Sequence, residues 1–185
     1  MARTSRLRST VQTGSPGILL APGLSWREAD RLKPHERPFR ARHGVDRGRD
    51  LLEERQEVMQ ALLEQDCIPS GMELFPAAND TQWDLIKSVI DDCDYYILIL
   101  AGRYGSIGSD GLSFTEMEYR YALDSNKPIL AFLHKNLAKI PSGKCEEDAA
   151  NRAKLQDFRK LAEKKLCKYW DTPEGLGSVV SRGLM

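Results

Sequence analysis

The chain has 185 residues, of which 41% are apolar and 29% charged, as expected for one ordinary globular domain. Its 27 basic and 27 acidic residues cancel, yet residues 1–50 hold 11 Lys or Arg against 5 Asp or Glu. The remainder is acidic, which argues against a nucleic-acid surface. Because the longest strongly apolar stretch, residues 95–102, falls far short of the roughly 20 residues that span a bilayer, we expect no membrane anchor.

The cysteine and histidine pattern indicates a reducing compartment and no metal centre. The four cysteines are scattered without a CxxC pair, and two of them, Cys67 and Cys93, lie inside apolar patterns. His134 has no partner at the spacing of a zinc site. We therefore predict a cytoplasmic protein with neither a metal nor a cofactor.

The first 49 residues differ in character from the rest of the chain. They are rich in Arg, Gly, Pro and Ser and show no sustained hydrophobic period, so they supply no material for a core. We assign no stable fold to residues 1–49. They are interpreted either as a disordered basic arm or as a stretch translated from a misplaced start or a shifted frame.

Regular periodicity begins at residue 50 and predicts alternating helices and strands. Apolar residues at intervals of three, four and seven predict a helix of about 15 residues from Leu51. A short strand follows at 68–75, and Asn79 and Asp80 are suited to cap the next helix. Residues 95–101 form a continuous β-prone run, which is typical of a central parallel strand.

The second half continues the alternation after a glycine-rich loop at residues 102–111. Ser113 is the expected N-cap of a helix over 114–124, with Glu116 as its capping-box partner. Further elements are predicted in the order strand, helix, strand, helix, at 128–134, 151–166, 167–170 and 173–181. This order predicts an α/β domain over residues 50–182, a flavodoxin-like parallel sheet with helices on both faces. No strand is recognisable before Leu51, so the usual first strand is expected to be missing.

Four ordered motifs resemble one known family, the bacterial TIR-like domain catalogued as domain of unknown function 4062. The motifs are DLLEERQEV at 50–58, GMELFPA at 71–77, DYYILI at 94–99 with GRYGS at 102–106, and SFTEMEY at 113–119. The resemblance runs from Asp50 to about Ser178 and implies a TIR-like fold. In the family a strand and a Ser-Ser-Thr-Tyr loop precede the first motif, whereas here residues 45–49 stand in that place.

The resemblance also implies a catalytic carboxylate. Glu118 lies four residues before Ala122, a spacing similar to that around the catalytic glutamate of TIR-type NAD hydrolases. A carboxylate suits this chemistry because cleavage of an N-glycosidic bond develops positive charge on the ribose. The alternative is that Glu118 is a solvated helix residue that pairs with Arg120 or Lys127.

Other candidate substrate-binding residues follow the carboxyl ends of the predicted strands, where parallel α/β sheets bind their ligands. The glycine-rich loop is either a phosphate cradle or a simple turn, and it lacks the Walker lysine and the GxGxxG spacing. Glu73 is either a buried carboxylate or a substrate contact, and the sequence favours neither interpretation. Glu116 is interpreted as a capping residue. The candidates are Glu73, Arg103, Tyr104, Ser106, Thr115 and Glu116.

Three functions remain open from the sequence. The first is a TIR-like effector or signalling domain of bacterial defence that hydrolyses NAD or a related nucleotide. The second is a noncatalytic module that signals by self-association. The third is a nucleoside deoxyribosyltransferase, which the glutamate and a strand that begins Lys127-Pro128 also resemble.

Overall fold

The computed structural model describes residues 40–44, 51–70 and 80–184, all within the unit Pro38–Met185. Strands and helices alternate through these residues. The strands are β1 (Arg40–Gly44), β2 (Ile68–Ser70), β3 (Tyr95–Leu100), β4 (Ile129–His134) and β5 (Cys167–Trp170). The helices are α1 (Leu52–Glu64), α2 (Asp80–Asp92), α3 (Phe114–Asp124), α4 (Ala149–Glu163) and α5 (Pro173–Leu184).

All five strands pair in parallel to form one sheet with the order β2-β1-β3-β4-β5. This is the strand order of flavodoxin-like domains, in which the chain winds outward in both directions from the first strand. The predicted fold class, a flavodoxin-like parallel sheet covered on both faces, is confirmed.

The expectation that the first strand is missing is wrong. β1 lies inside the sheet, where Arg40 pairs with Ile68 of β2 and Gly44 pairs with Leu98 of β3. The segment reads Arg-Ala-Arg-His-Gly and contains none of the residues that favour strands, namely Val, Ile, Thr, Tyr, Phe and Trp, so its sequence does not predict a strand. Backbone pairing with two neighbours produces this strand. The prediction of no stable fold for residues 1–49 otherwise falls on residues outside those described.

The core has two layers, one on each face of the sheet, because successive side chains of a strand point to opposite faces. Ile97 and Ile99 of β3 pack on the face covered by α1 and α5. Tyr96, Leu98 and Leu100 pack on the opposite face, with side chains of α2, α3 and α4. All five are at most 3% exposed. Burial on both faces explains why this strand has no polar position.

The helix starts confirm the predicted cap at Ser113 and correct the start of α4. Ser113 accepts a hydrogen bond from the backbone N–H of Glu116 at 3.2 Å. α4 begins at Ala149, two residues before its predicted start, because the carboxylate of Asp148 caps it by accepting from Asn151 N at 2.8 Å. The predicted cap at Asn79 lies outside the described residues.

The sequence predicts no membrane-spanning helix and a reducing environment for the cysteines. Among the residues described, no helix has the length and apolar character needed to cross a bilayer. All four cysteines are free thiols, and Cys67 and Cys93 are buried as predicted. Burial is the main cause that raises the pKa of Cys67, and Asp66 and Asp94 raise it further.

Candidate functional site

A cavity of about 140 Å³ opens at the carboxyl edge of the sheet, beyond the ends of β3, β4 and β5. Three of the predicted site residues, Arg103, Tyr104 and Thr115, line it. The predicted location of the site, after the carboxyl ends of the strands, therefore coincides with the cavity. Other polar or aromatic side chains in its wall are Glu54, His134, Lys139, Lys144, Trp170 and Asp171.

One wall of the cavity is the segment between β4 and α4, which is fastened to the loop that follows β3. Gly102 O accepts from Glu146 N at 2.8 Å, and the Arg103 guanidinium donates to Gly143 O at 2.6 Å. A Cβ atom added at Gly102 would lie 2.6 Å from Lys144 O, so the two backbones touch there. This contact requires glycine at position 102 and holds Lys144 against the cavity.

Tyr104 and Glu116 connect the cavity to the first turn of α3. The Tyr104 hydroxyl donates to Glu116 Oε2 at 2.7 Å, and Arg120 donates to Glu116 Oε1 at 2.8 and 2.7 Å. Burial, and then the hydrogen bond to Glu116, raise the pKa of Tyr104, which keeps the phenol protonated as the donor. Glu116 is 4% exposed and is absent from the cavity lining. Its carboxylate therefore holds Tyr104 and Arg120 in addition to the cap that its backbone N–H makes.

Glu118, the predicted catalytic residue, is buried inside the domain. It is 2% exposed and lies on α3 three residues after Thr115, which places both on one side of the helix. The alternative of a solvated residue paired with Arg120 or Lys127 is wrong, because Arg120 binds Glu116 while Lys127 donates to the carbonyls of Asp91 and Cys93. Glu118 itself is absent from the cavity lining.

The glycine-rich loop forms a turn that satisfies much of its own backbone. Gly108 N donates to Leu112 O at 2.8 Å and Gly111 N donates to Gly108 O at 3.1 Å. Ser106 is exposed and absent from the cavity lining, and its carbonyl accepts from Phe114 N at 3.0 Å. The simple turn therefore fits this loop better than the phosphate cradle. Glu73 lies outside the described residues.

Glu54 is a site residue that the sequence reading missed. It lies in the first turn of α1, is 7% exposed and lines the cavity. The sequence does indicate this residue, because Glu54 interrupts the apolar stripe of α1 formed by Leu51, Val58 and Leu62 at helical spacing, and all four side chains are buried. A carboxylate at an apolar position of an amphipathic helix indicates either a buried partner or a site.

His134, the last residue of β4, lines the cavity. It is 6% exposed, its ring meets that of Trp170 edge to face at 4.7 Å, and its Nδ1 accepts from Asn136 N at 3.3 Å. Burial is the largest effect and lowers the pKa of His134. A backbone hydrogen bond at Asp171 raises this pKa in part, the charge of Arg159 lowers it, and a backbone hydrogen bond at Asn136 raises it slightly. These contacts fix the ring as part of the wall.

Metal binding finds no support in the described part of the chain. Among the side chains that the structure describes, no three of His, Cys, Asp or Glu come close enough together to hold an ion. The residues that line the cavity include two carboxylates, an imidazole, a phenol and three cations. This set suits an organic ligand that carries both hydroxyl groups and negative charge.

Comparison with known proteins yields a family assignment. No curated protein matches the chain. The family described as a domain of unknown function (DUF4062) matches residues 48–185, about three quarters of the sequence. The match covers every described helix and four of the five strands, together with all the residues that line the cavity. The chain therefore belongs to the DUF4062 family.

Proposed function

We propose that this chain is a TIR-like effector domain that hydrolyses the N-glycosidic bond of NAD or a related nucleotide. The position of the cavity carries the proposal. Its lining includes Leu51 at the start of α1, the end of β3 and Thr115 at the start of α3. Because α1 and α3 cover opposite faces of the sheet, the cavity lies where the winding of the chain reverses. Open α/β sheets bind nucleotides at such a reversal.

Glu118 supplies the carboxylate in this proposal. It stands one helical turn from Thr115, so a ligand that contacts Thr115 has this carboxylate as a near neighbour. When the bond between the ribose C1′ and the base nitrogen breaks, positive charge develops on the ribose. The base nitrogen leaves with the electron pair of that bond, the oxygen of a water molecule bonds to C1′, and the proton that this water loses passes to the surrounding solvent. A buried carboxylate stabilises the charge strongly because little water screens it.

The test is release of nicotinamide from NAD by the full-length chain. Glu118→Gln keeps the size of the side chain and removes its charge, so the rate should fall by about a hundredfold or more. Asp124→Asn is the matched control, since it removes an exposed carboxylate from the same helix and should leave the rate unchanged. Unchanged release by Glu118→Gln, or no release from NAD by the wild type, would contradict the proposal. Base release from 2′-deoxynucleosides alone would favour the deoxyribosyltransferase.

A surface of α1 favours the second candidate, a noncatalytic module that associates with a second copy of this chain. Leu52 and Leu63 are 53% and 54% exposed and line a surface groove with Met59 between them. Arg55 and Glu64 flank this stripe near its opposite ends. In an antiparallel pair, Leu52 of one copy would lie opposite Leu63 of the other, so the apolar groups would match. Arg55 of one copy would then lie within about one helical turn of Glu64 of the other, so the opposite charges would also match.

Light scattering after size exclusion tests this second candidate. Leu63→Glu should convert a wild-type dimer into a monomer by introducing a charge into the apolar contact. Leu85→Glu is the control, because Leu85 is 42% exposed on α2 and does not line the groove. A wild type that stays monomeric at high concentration, or a dimer that both variants retain, would exclude association through this face.

A further inference from the structure

Glu54 places an unsatisfied carboxylate oxygen in the wall of the cavity. The side chain is 7% exposed, and its Oε2 is shielded from solvent and accepts no hydrogen bond within the described structure. Leaving a buried acceptor without a donor costs about 1–3 kcal/mol, and more for a charged group. Native proteins keep such a group where a ligand or an ordered water donates the missing hydrogen bond. The chemistry that Glu54 requires is therefore a hydrogen-bond donor.

The carboxylate can present either oxygen to a ligand in the cavity. The terminal torsion of a glutamate is broad, so a modest rotation of the carboxylate changes the directions in which its two oxygens face. Because Glu54 already lines the cavity, this rotation requires no movement of α1. A hydroxyl group in the cavity can then donate to the oxygen that lacks a partner.

The size of the cavity limits how much of a ligand it encloses. A cavity of about 150 Å³ in another protein holds one benzene molecule, and this cavity measures about 140 Å³. It therefore has room for a single ring, such as a pentose, and the rest of a nucleotide must extend outside. A ring with hydroxyl groups matches Glu54, whereas a purely apolar ring would leave the carboxylate without a donor.

Cations that line the same cavity suit a phosphate attached to that ring. Lys144 is half-buried and Lys139 is exposed, and both line the cavity on the segment between β4 and α4. Among the ion pairs between described residues, which include those of Arg120 and Arg159, neither lysine takes part. Lysine ammonium groups bind phosphate as point charges. The cavity lining thus presents a hydroxyl acceptor and phosphate-binding cations to one small ligand.

We infer that the cavity binds the ribose 5-phosphate part of a ribonucleotide, with Glu54 accepting a hydrogen bond from a ribose hydroxyl and Lys144 contacting the phosphate. This inference rests on the proposed nucleotide hydrolysis and narrows its substrate class to ribonucleotides. Glu54 acts here as a specificity residue, because 2-deoxyribose lacks one of the two vicinal hydroxyls. A site that is built to accept a hydroxyl hydrogen discriminates strongly against a ligand that lacks it.

Calorimetric binding of ribose 5-phosphate and 2-deoxyribose 5-phosphate to the full-length chain tests the inference without requiring any cleavage. The wild type should bind the ribose form at least about tenfold more tightly, as expected for loss of one hydrogen bond to a charged acceptor. Glu54→Gln should reduce this preference to less than about threefold. The exposed neighbour provides the control, and Glu53→Gln should keep the full preference. Lys144→Ala should weaken binding of both sugars equally.

The wild-type comparison makes the inference falsifiable even if Glu54→Gln does not fold. Equal affinity of the wild type for both sugars, no binding of either sugar, or tighter binding of the deoxy form would overturn it. A ribose preference that survives in folded Glu54→Gln would also overturn it. If ribose is preferred through Glu54 but no nicotinamide is released, the inference about the cavity stands and the proposed hydrolysis fails. If nicotinamide release depends on Glu118 but the wild type binds both sugars equally, the proposed hydrolysis stands and the inference about the cavity fails.

Discussion

The hydroxyl of Tyr104 donates a 2.7 Å hydrogen bond to Glu116 Oε2 and so joins the cavity wall to the start of α3. Both side chains are buried, at 1% and 4% exposure. Arg120 takes the other carboxylate oxygen. The two oxygens of a buried carboxylate are thus each satisfied by a donor from a different part of the domain, which fixes the loop after β3 relative to α3.

Removal of this hydroxyl should destabilise the domain. Tyr104→Phe leaves Glu116 Oε2 buried without its donor, and we expect a loss of about 1–3 kcal/mol in the free energy of unfolding, measured by urea denaturation. Tyr121→Phe is the matched control, since the Tyr121 hydroxyl donates to the Asp91 carboxylate at the surface. That change should stay within about 0.5 kcal/mol. Equal losses in the two variants would contradict the importance of the buried pair.

A methyl group at Gly102 should disturb the cavity wall. Gly102→Ala places Cβ 2.6 Å from Lys144 O, so one of the two backbones must move, at a cost of about 1–3 kcal/mol. Because Lys144 moves with that backbone, binding of ribose 5-phosphate should weaken as well. Gly143→Ala is the control, because its added methyl group meets nothing within 4 Å. If Gly102→Ala has the same free energy of unfolding and the same affinity for ribose 5-phosphate as the wild type, the contact between Gly102 and Lys144 is unimportant.

Truncation of the central strand should be severely destabilising. Ile97→Ala removes a large side chain from a fully buried position on β3, and we expect a loss of about 2–5 kcal/mol. Ile107 is 41% exposed, so Ile107→Ala should change the free energy of unfolding by less than about 0.5 kcal/mol. Chemical denaturation of both variants checks this. A loss below about 0.5 kcal/mol for Ile97→Ala would place β3 at the surface.

Deletion from the start of the chain should be tolerated only up to residue 37, because β1 begins at Arg40. A chain that begins at Pro38 retains β1, whereas one that begins at Val45 lacks it and leaves the facing backbone groups of β2 and β3 without partners. We expect cooperative thermal unfolding from the longer chain, and aggregation or loss of the transition in the shorter one. Cooperative unfolding of the shorter chain with unchanged midpoint would show that β1 contributes nothing.

His134 should make the domain less stable in mild acid. Burial holds the pKa of His134 below its unfolded value of about 6.5, so between the two values the unfolded chain binds more protons than the folded one. Stability should therefore fall as the pH drops below about 6.5 and continue to fall until the folded pKa is passed. His134→Gln cannot take up that proton, so its free energy of unfolding should decline less between pH 7 and pH 5. Parallel declines in both proteins would exclude this role.

The sequence by itself determined the elements that carry their own local signal. The continuous apolar run of β3 predicts a strand buried on both faces, because a position open to water would tolerate polar residues. The cap at Ser113 is likewise readable, since its hydroxyl bonds a backbone group only three residues away. From the alternation of such elements the flavodoxin-like fold class follows, and so does the edge of the sheet where a site must lie.

Only the tertiary structure decided the features that depend on distant partners. β1 has no β-prone residues, and it is a strand because β2 and β3 supply hydrogen-bonding partners on both sides. Glu116 is readable as a cap but binds Tyr104 and Arg120 because the loop after β3 folds back onto α3. Glu54 lines the same cavity as Lys139 and Lys144, which lie far along the chain in the segment between β4 and α4. Local propensity acts over a few residues, whereas these contacts arise from packing across the whole sheet.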